Sequence, residues 1–464
     1  MKNILKYGFG AIGSALISLI TIPFLTRIMS PEDFGKGGTF IVLMSLCYYL
    51  INCGMDQVYE RYYFDDNFKE NRTKLFLSLL AIALIFLCIF FIPFVLALPY
   101  ISEFFFSSGS KALYLLILIG IVGFLLNKFG FISLRMQKKS GAYMLGQIGM
   151  PLIYLLSIIV SYFLFNLKSF YIILIGQVIS YWVIFLWFLF IDKYSWSVRH
   201  FRKNIDLRYF REFIQYGWPF IFTYSLAWGF QSIDRVLLIS LGSYDELGIY
   251  SASFTLIAPL VLVQGVFSTV WSPVMNKLIL HHRFKASYIL NKLLHLMLTL
   301  MTLGALVIIC FSPILHLLLG DEYFQSIKVF GCLLFIPVFY VMADIVIAGI
   351  VLAKNSRLNM LTTLLSLIIN IVLCLILIPL YGALGAAISI SASYGMLFVV
   401  RWWLADRYIK LSPSWIYISF LILSLVIAQF VNFLGLILLI LLVISLAFTF
   451  KIYKKNTLIM RYLR

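Results

Sequence analysis

Fourteen apolar runs, each about the 20 residues needed to cross a bilayer as a helix, leave this chain few folds to choose from. They lie near 8–28, 37–56, 75–98, 112–134, 143–165, 169–191, 211–232, 247–271, 288–312, 326–350, 359–379, 384–404, 413–431 and 433–450. The runs are continuous and do not alternate, so helices are expected rather than barrel strands. Hydrophobic residues make up 63% of the chain and charged ones only 12%. A water-soluble domain is about 45–50% apolar and about 25% charged. The sequence therefore predicts an all-α membrane protein with about fourteen transmembrane helices.

The formal net charge is +18. Its placement argues against nucleic acid, because the basic residues sit in alternate loops and form no single patch or arm. With the N-terminus and every second loop taken as one side, 29 Lys and Arg fall there and 6 on the other, leaving Lys128 inside a span. Positive-inside asymmetry then puts both termini in the cytoplasm and supports an even number of spans. The longest loop, at 192–210, is cytoplasmic on this reading; its Arg199, Arg202, Lys203 and Arg208 mark a topology-setting linker. All six cysteines fall in apolar runs without zinc-ligand spacing and read as small hydrophobes. Lys2 and Lys6 precede a run too long for a cleavable signal core. There is no GxxxxGK[ST] loop, so ATP hydrolysis by that route is excluded. No metal cluster is evident, and Asp65-Asp66, in a charged loop, read as solvated surface.

Two echoes suggest an internal duplication. Tyr7-Gly8-Phe9 opens the first run as Tyr216-Gly217-Trp218 opens the seventh, and SPEDFG from Ser30 to Gly35 corresponds to SYDELG from Ser243 to Gly248. Further on, Lys138-Lys139-Ser140 followed by Tyr143-Met144-Leu145 matches Lys354-Asn355-Ser356 followed by Asn359-Met360-Leu361, at an offset of 216. Membrane transporters are often built from such repeats, with the substrate path between them. The expected division is a six-helix bundle over 1–191, a linker over 192–210, a second six-helix bundle over 211–410, and an added hairpin with a basic tail over 411–464. Gly217-Trp218-Pro219 reads as a helix break, and Pro23 and Pro219 as hinges.

Charges inside an apolar chain are costly and usually functional. Arg27, Arg61, Lys128 and Arg235 are candidates for holding an anionic group, since a planar guanidinium suits phosphate. Asp56, Asp234 and Asp344 are candidates for taking up a coupling ion. Arg27 and Arg235 occupy similar places in the two repeats and would converge on a phosphate; the competing reading pairs each locally, Arg235 with Asp234 for example. At the offset of 216, Lys128 corresponds to Asp344, which suggests two cavity-facing charges that pair in one conformation; each satisfied within its own bundle is the alternative. No residue reads as catalytic and no bound cofactor is expected.

The patterns IPFLTRIMSPEDFG, DRVLLISLGSYDELGIYS and NIVLCLILIPLYGALGAAIS resemble the polysaccharide biosynthesis exporters. These are the Wzx-type flippases of the multidrug/oligosaccharidyl-lipid/polysaccharide superfamily. The resemblance covers roughly residues 1–410. It implies two pseudo-symmetric six-helix bundles in a V. It further implies transfer of undecaprenyl-pyrophosphate-linked oligosaccharide across the bacterial inner membrane for O-antigen or capsule. Alternating access driven by a proton or sodium gradient is implied, as are membrane lipids and a polymerase with its chain-length machinery as partners. A drug or cation antiporter of the same superfamily competes with this reading, but would favour an acidic cavity. A membrane glycan polymerase or ligase also competes, but would need a large outward loop.

Overall fold

The structure is a computed structural model that describes residues 2–68, 72–193, 196, 208–281, 283–310, 319–353 and 355–411, with scattered positions up to 426. The expected thirteenth and fourteenth spans lie outside this range apart from those scattered positions. Among the described residues the chain is helical, and 11 helices are long and apolar enough to cross a membrane. The side-chain arrangement agrees. Ile92, Leu96, Phe163 and Leu164 are each more than 70% exposed. Ser102, Ser180 and Ser389 are fully buried, and the last two return their hydroxyls to Gln177 O and Gly385 O at 2.8 Å. Apolar outside and internally satisfied polar groups inside is what a hydrocarbon solvent selects.

The chain divides into two compact units, Met1–Ser232 and Ile233–Arg464. The first contains α1 (Lys2–Ile28), α2 (Pro31–Asn52), α3 (Met55–Tyr62), α4 (Arg72–Phe106), α5 (Lys111–Met136), α6 (Ser140–Phe165) and α7 (Tyr171–Ile191). In it α1 lies along α6, α6 along α7, and α2 against α4 and α5. It also holds most of α8 (Phe210–Leu241), whose continuation past residue 232 enters the second unit. The packing boundary thus falls at the end of the seventh expected span, 211–232, inside helix α8. The second unit goes on with α9 (Tyr244–Leu256), α10 (Ala258–His281), α11 (Arg283–Cys310), α12 (Ser326–Leu333), α13 (Phe335–Val346), α14 (Ala348–Leu352), α15 (Ser356–Tyr381) and α16 (Ala383–Ala405). There α15 pairs with α16, α13 packs on α16 and α11, and α9 packs on α12.

The SPEDFG and SYDELG segments and the second echo are helix starts, whereas Tyr7-Gly8-Phe9 and Tyr216-Gly217-Trp218 lie within helices. Ser30 caps α2 by accepting from Asp33 N at 3.3 Å, and Ser243 caps α9 by accepting from Glu246 N at 3.2 Å. A serine side chain there satisfies one of the helix's orphan amides, and the acidic residues that follow suit the positive helix end. The second echo opens α6 at Ser140 and α15 at Ser356.

The prolines behave differently from expectation. The break predicted at 217–219 is absent, for α8 runs unbroken through Pro219, and α1 likewise runs through Pro23. Thr223 Oγ1 donates to Pro219 O at 3.3 Å. The eighth span does break, at Ile257, two residues before Pro259, and the tenth breaks at Leu334, three before Pro337. A proline in the first turn of a new helix costs no hydrogen bond, so these two sit where helices restart.

The α2–α3 corner sets the position of α8. Gly54 adopts φ +72°, and a Cβ there would lie 2.4 Å from Gly217 O; a Cβ on Gly217 would lie 2.5 Å from Cys53 O. Two backbones cross at these glycines. Gly54→Ala is expected to destabilise the protein by about 1–3 kcal/mol, from the left-handed strain and the lost approach. Thermal unfolding in detergent micelles reads the loss; an unchanged midpoint would contradict the crossing.

Candidate functional site

The tight crossing of α8 on the α2–α3 corner leaves a cavity beside it. The cavity is about 390 Å³ and lies within the first unit. Its wall takes Asp56 from α3, Lys128 and Arg135 from α5, Tyr48 from α2, and Tyr143 and Gln147 from α6. Lys128 and Arg135 are seven residues apart on one helix, close to two full turns, so both face the same side. That spacing was the sequence signal for Arg135, which reads as a loop residue when only spans are counted.

The charges on this wall are unequally satisfied. Asp56 accepts from Asn52 Nδ2 at 2.7 Å and from Tyr224 Oη at 3.1 Å. Arg135 donates to Glu60 in an ion pair. Lys128 is accessible to solvent although it stands deep among helices, the mark of a side chain in an internal wet cavity. Its ammonium lies 4.9 Å from the Phe124 ring centroid and 6.0 Å from that of Tyr48. Among the described residues no carboxylate is within salt-bridge range of it. Aromatic faces stabilise a cation modestly without using its hydrogen-bond donors. Lys128 therefore keeps its donors for an incoming anion. Arg135 can join once Glu60 releases it.

Glu60 makes that release sensitive to acidity. Burial pushes its carboxyl above the ordinary range, partly opposed by Arg135 and reinforced by Asp56. A raised carboxyl neutralises at a higher pH than usual, so acidification frees Arg135 and strengthens anion binding across that window. Glu60→Gln is expected to raise affinity for a soluble pyrophosphate several-fold at neutral pH and to flatten its pH dependence. Calorimetric titration at several pH values checks this; a variant as pH-dependent as the parent contradicts it.

The remaining sequence candidates are dispersed. Arg27, in the last turn of α1, and Arg61, on α3, are exposed and line no part of this cavity. The other three belong to the second unit. Asp234 is fully buried and accepts from Tyr250 Oη through Oδ2, while Oδ1 has no partner. Arg235 is half-buried over the Phe254 ring, 4.9 Å from its centroid, and lies within electrostatic reach of Asp234. The two side chains are neighbours in charge but form no salt bridge, and Arg235 Nε and Asp234 Oδ1 are both without a hydrogen-bond partner. Close by, Asn370 accepts from the Cys374 thiol at 3.5 Å and leaves its buried Nδ2 unpartnered. Asp344 is partly buried, and its carbonyl accepts from Trp271 Nε1 at 2.9 Å. It lies within electrostatic reach of Arg401, which is buried and donates to Asn359 Oδ1 at 3.1 Å. Arg401 had counted as a loop cation; it is instead an internal charge of the second unit.

The chain's helical membrane architecture agrees with what comparison with known proteins returns. The sequence profile described as polysaccharide biosynthesis protein matches residues 1–279. The chain is a member of the polysaccharide biosynthesis protein family. It is 23% identical over 413 residues to the capsular polysaccharide biosynthesis protein CapF of Staphylococcus aureus, covering 85% of this chain and 96% of CapF. Its fold is similar to that of the lipid II flippase MurJ in an inward closed conformation, with TM-score 0.71, 15% identity, and 98% and 99% of the two chains covered. An inward-facing multidrug resistance MATE transporter of the MOP superfamily superposes with TM-score 0.60 at 14% identity, over 85% of this chain and 94% of the transporter. This member of the polysaccharide biosynthesis family thus shares its fold with the lipid II flippase and the MATE transporter, in a chain with 11 described helices long and apolar enough to cross a membrane.

Proposed function

We propose that this protein moves undecaprenyl-pyrophosphate-linked oligosaccharide repeat units from the cytoplasmic to the outer leaflet of the bacterial inner membrane, for a capsule or O-antigen. The observation that carries the reading is Lys128, an accessible ammonium that shares a polar cavity with Asp56 but forms no salt bridge with it. A cavity of about 390 Å³ is of head-group size, within the range of about 300–1,000 Å³ typical of small-ligand sites. It suits a diphosphate with its first sugar, while the polyprenyl tail stays in lipid. With Arg135 paired to Glu60 and Asp56 already accepting two hydrogen bonds, no carboxylate on this wall is left open to a cationic drug, which disfavours one as cargo. The basic asymmetry of the loops supports cytoplasmic termini and an approach from the cytoplasmic leaflet.

Ion coupling belongs to the same proposal. Asp234 offers an orphan buried acceptor, and Asn370 an orphan buried donor, in the second unit. An orphan buried acceptor is expensive, and a proton or sodium ion taken up from a gradient would relieve that cost at Asp234; Asn370 would join only by turning its amide to present the oxygen. A polymerase that uses the delivered repeat units is the expected partner. The decisive assay reconstitutes the protein in vesicles carrying a fluorescent diphosphate-linked prenyl saccharide and follows its access to an external quencher. Transfer that needs the protein supports the proposal. Transfer of an organic cation, with the lipid-linked saccharide left unmoved, rejects it.

A further inference from the structure

The short helix α3 borders two pockets. Asp56 and Glu60 serve the cavity described above. Tyr59, beside Glu60, and Tyr63, which caps the helix, line a second pocket of about 280 Å³ that shares none of the first cavity's lining residues. Arg72 and Thr73, the first residues of the 35-residue α4, form part of its wall, and Lys139 another part. By the distribution of basic residues, this end of the unit is the cytoplasmic one.

We propose that this second pocket is a binding site for a phosphate-bearing anion, either the head group of an anionic phospholipid or a soluble nucleoside diphosphate. Its donors converge. The Arg72 guanidinium lies 4.5 Å from the centroid of the Tyr63 ring and reaches Tyr63 Oη at 3.5 Å, which leaves most of its five N–H groups unused. Lys139 gives one contact to Asp192 Oδ1 at 3.3 Å and has two further donors. The positive end of a long helix adds to both. The pocket's one carboxylate, Asp192, is already engaged. It is buried and accepts from Ser133 Oγ at 3.2 Å and Gln137 Nε2 at 2.6 Å as well as from Lys139. Its charge is thus spread over three donors, while the two cations remain reachable. Occupancy would act on α3, and so on the helix that carries Asp56 and Glu60. That gives the anion a route to regulate the transport site.

The test uses the full-length protein. In one arm it is reconstituted in nanodiscs of phosphatidylcholine with or without phosphatidylglycerol, and retained lipid is counted by native mass spectrometry. In the other arm, uridine diphosphate is titrated against the protein in phosphatidylcholine nanodiscs. The variant Arg72→Gln/Lys139→Gln, at two exposed side chains, is expected to lose about a hundredfold in affinity for the bound probe, about tenfold for each of the two charge-assisted contacts. Lys111→Gln, at the opposite end of α5, is expected to change nothing. Asp192→Asn frees Lys139 and is expected to tighten binding in protein that keeps its melting temperature. Retention of phosphatidylglycerol alone identifies a lipid head group, and binding of the nucleotide alone a soluble ligand. The proposal is overturned if neither probe binds, if the double variant binds as tightly as the parent, or if folded Asp192→Asn binds more weakly.

Discussion

Lys128→Ala is expected to lower transfer of a diphosphate-linked saccharide by about tenfold to a hundredfold while leaving the amount of folded protein unchanged. The size follows from what the side chain does. Its ammonium has no carboxylate partner among the described residues and stands over Phe124 and Tyr48. Removing it breaks no internal ion pair, so stability should hold or rise slightly. The incoming diphosphate, in contrast, loses a charge-assisted contact worth roughly 1.5–3 kcal/mol. Lys128→Arg keeps the charge and should retain most of the activity, since a guanidinium also donates to phosphate. Double substitution with Arg135→Ala should deepen the loss beyond the product of the singles if both hold the same anion. Transfer at the parental rate by a well-folded Lys128→Ala would remove the cavity from the path of the head group.

The residues themselves explain why some of this was legible beforehand. Apolar runs survive any packing arrangement, so the helical membrane spans could be read directly. Ser30 and Ser243 echo one another because capping is local chemistry, decided within four residues. Prolines were harder. Whether a proline sits within a helix or opens one depends on register: α8 runs through Pro219, whereas the chain restarts just before Pro259. Charges at span ends were harder still. Arg135 and Arg401 look alike in sequence, each basic near the end of a span. One lines a cavity beside Glu60, and the other is buried against Asn359. Only tertiary neighbours separate such cases. Lys128 was the exception, because a lysine far from either end of its span has no bland solvated alternative.

In the second unit, Asp234→Asn is expected to abolish dependence of transport on the ion gradient without unfolding the protein. Asp234 is fully buried, with Tyr250 on one oxygen and no partner on the other. Arg235 offsets its charge only from the side, since that guanidinium is drawn over the Phe254 ring. A carboxylate so placed gains from any cation that enters, and the fully buried Asn370, with its own unpartnered Nδ2, can rotate its amide to present oxygen instead. Replacement by Asn keeps the shape and the acceptor for Tyr250 but removes the charge that attracts the ion. Melting temperature should therefore stay level or rise, because a buried charge has been deleted. Transport should fall to the rate seen without a gradient. Tyr250→Phe sharpens the test: it leaves the carboxylate with neither oxygen satisfied, a cost of about 1–3 kcal/mol, and should lower stability while strengthening ion uptake. Raising external sodium at fixed pH, and then pH at fixed sodium, identifies the ion by which change alters the parent's rate and leaves Asp234→Asn indifferent. If Asp234→Asn responds to the gradient as the parent does, coupling lies elsewhere in the chain, and the orphaned oxygen is only a cost of the fold.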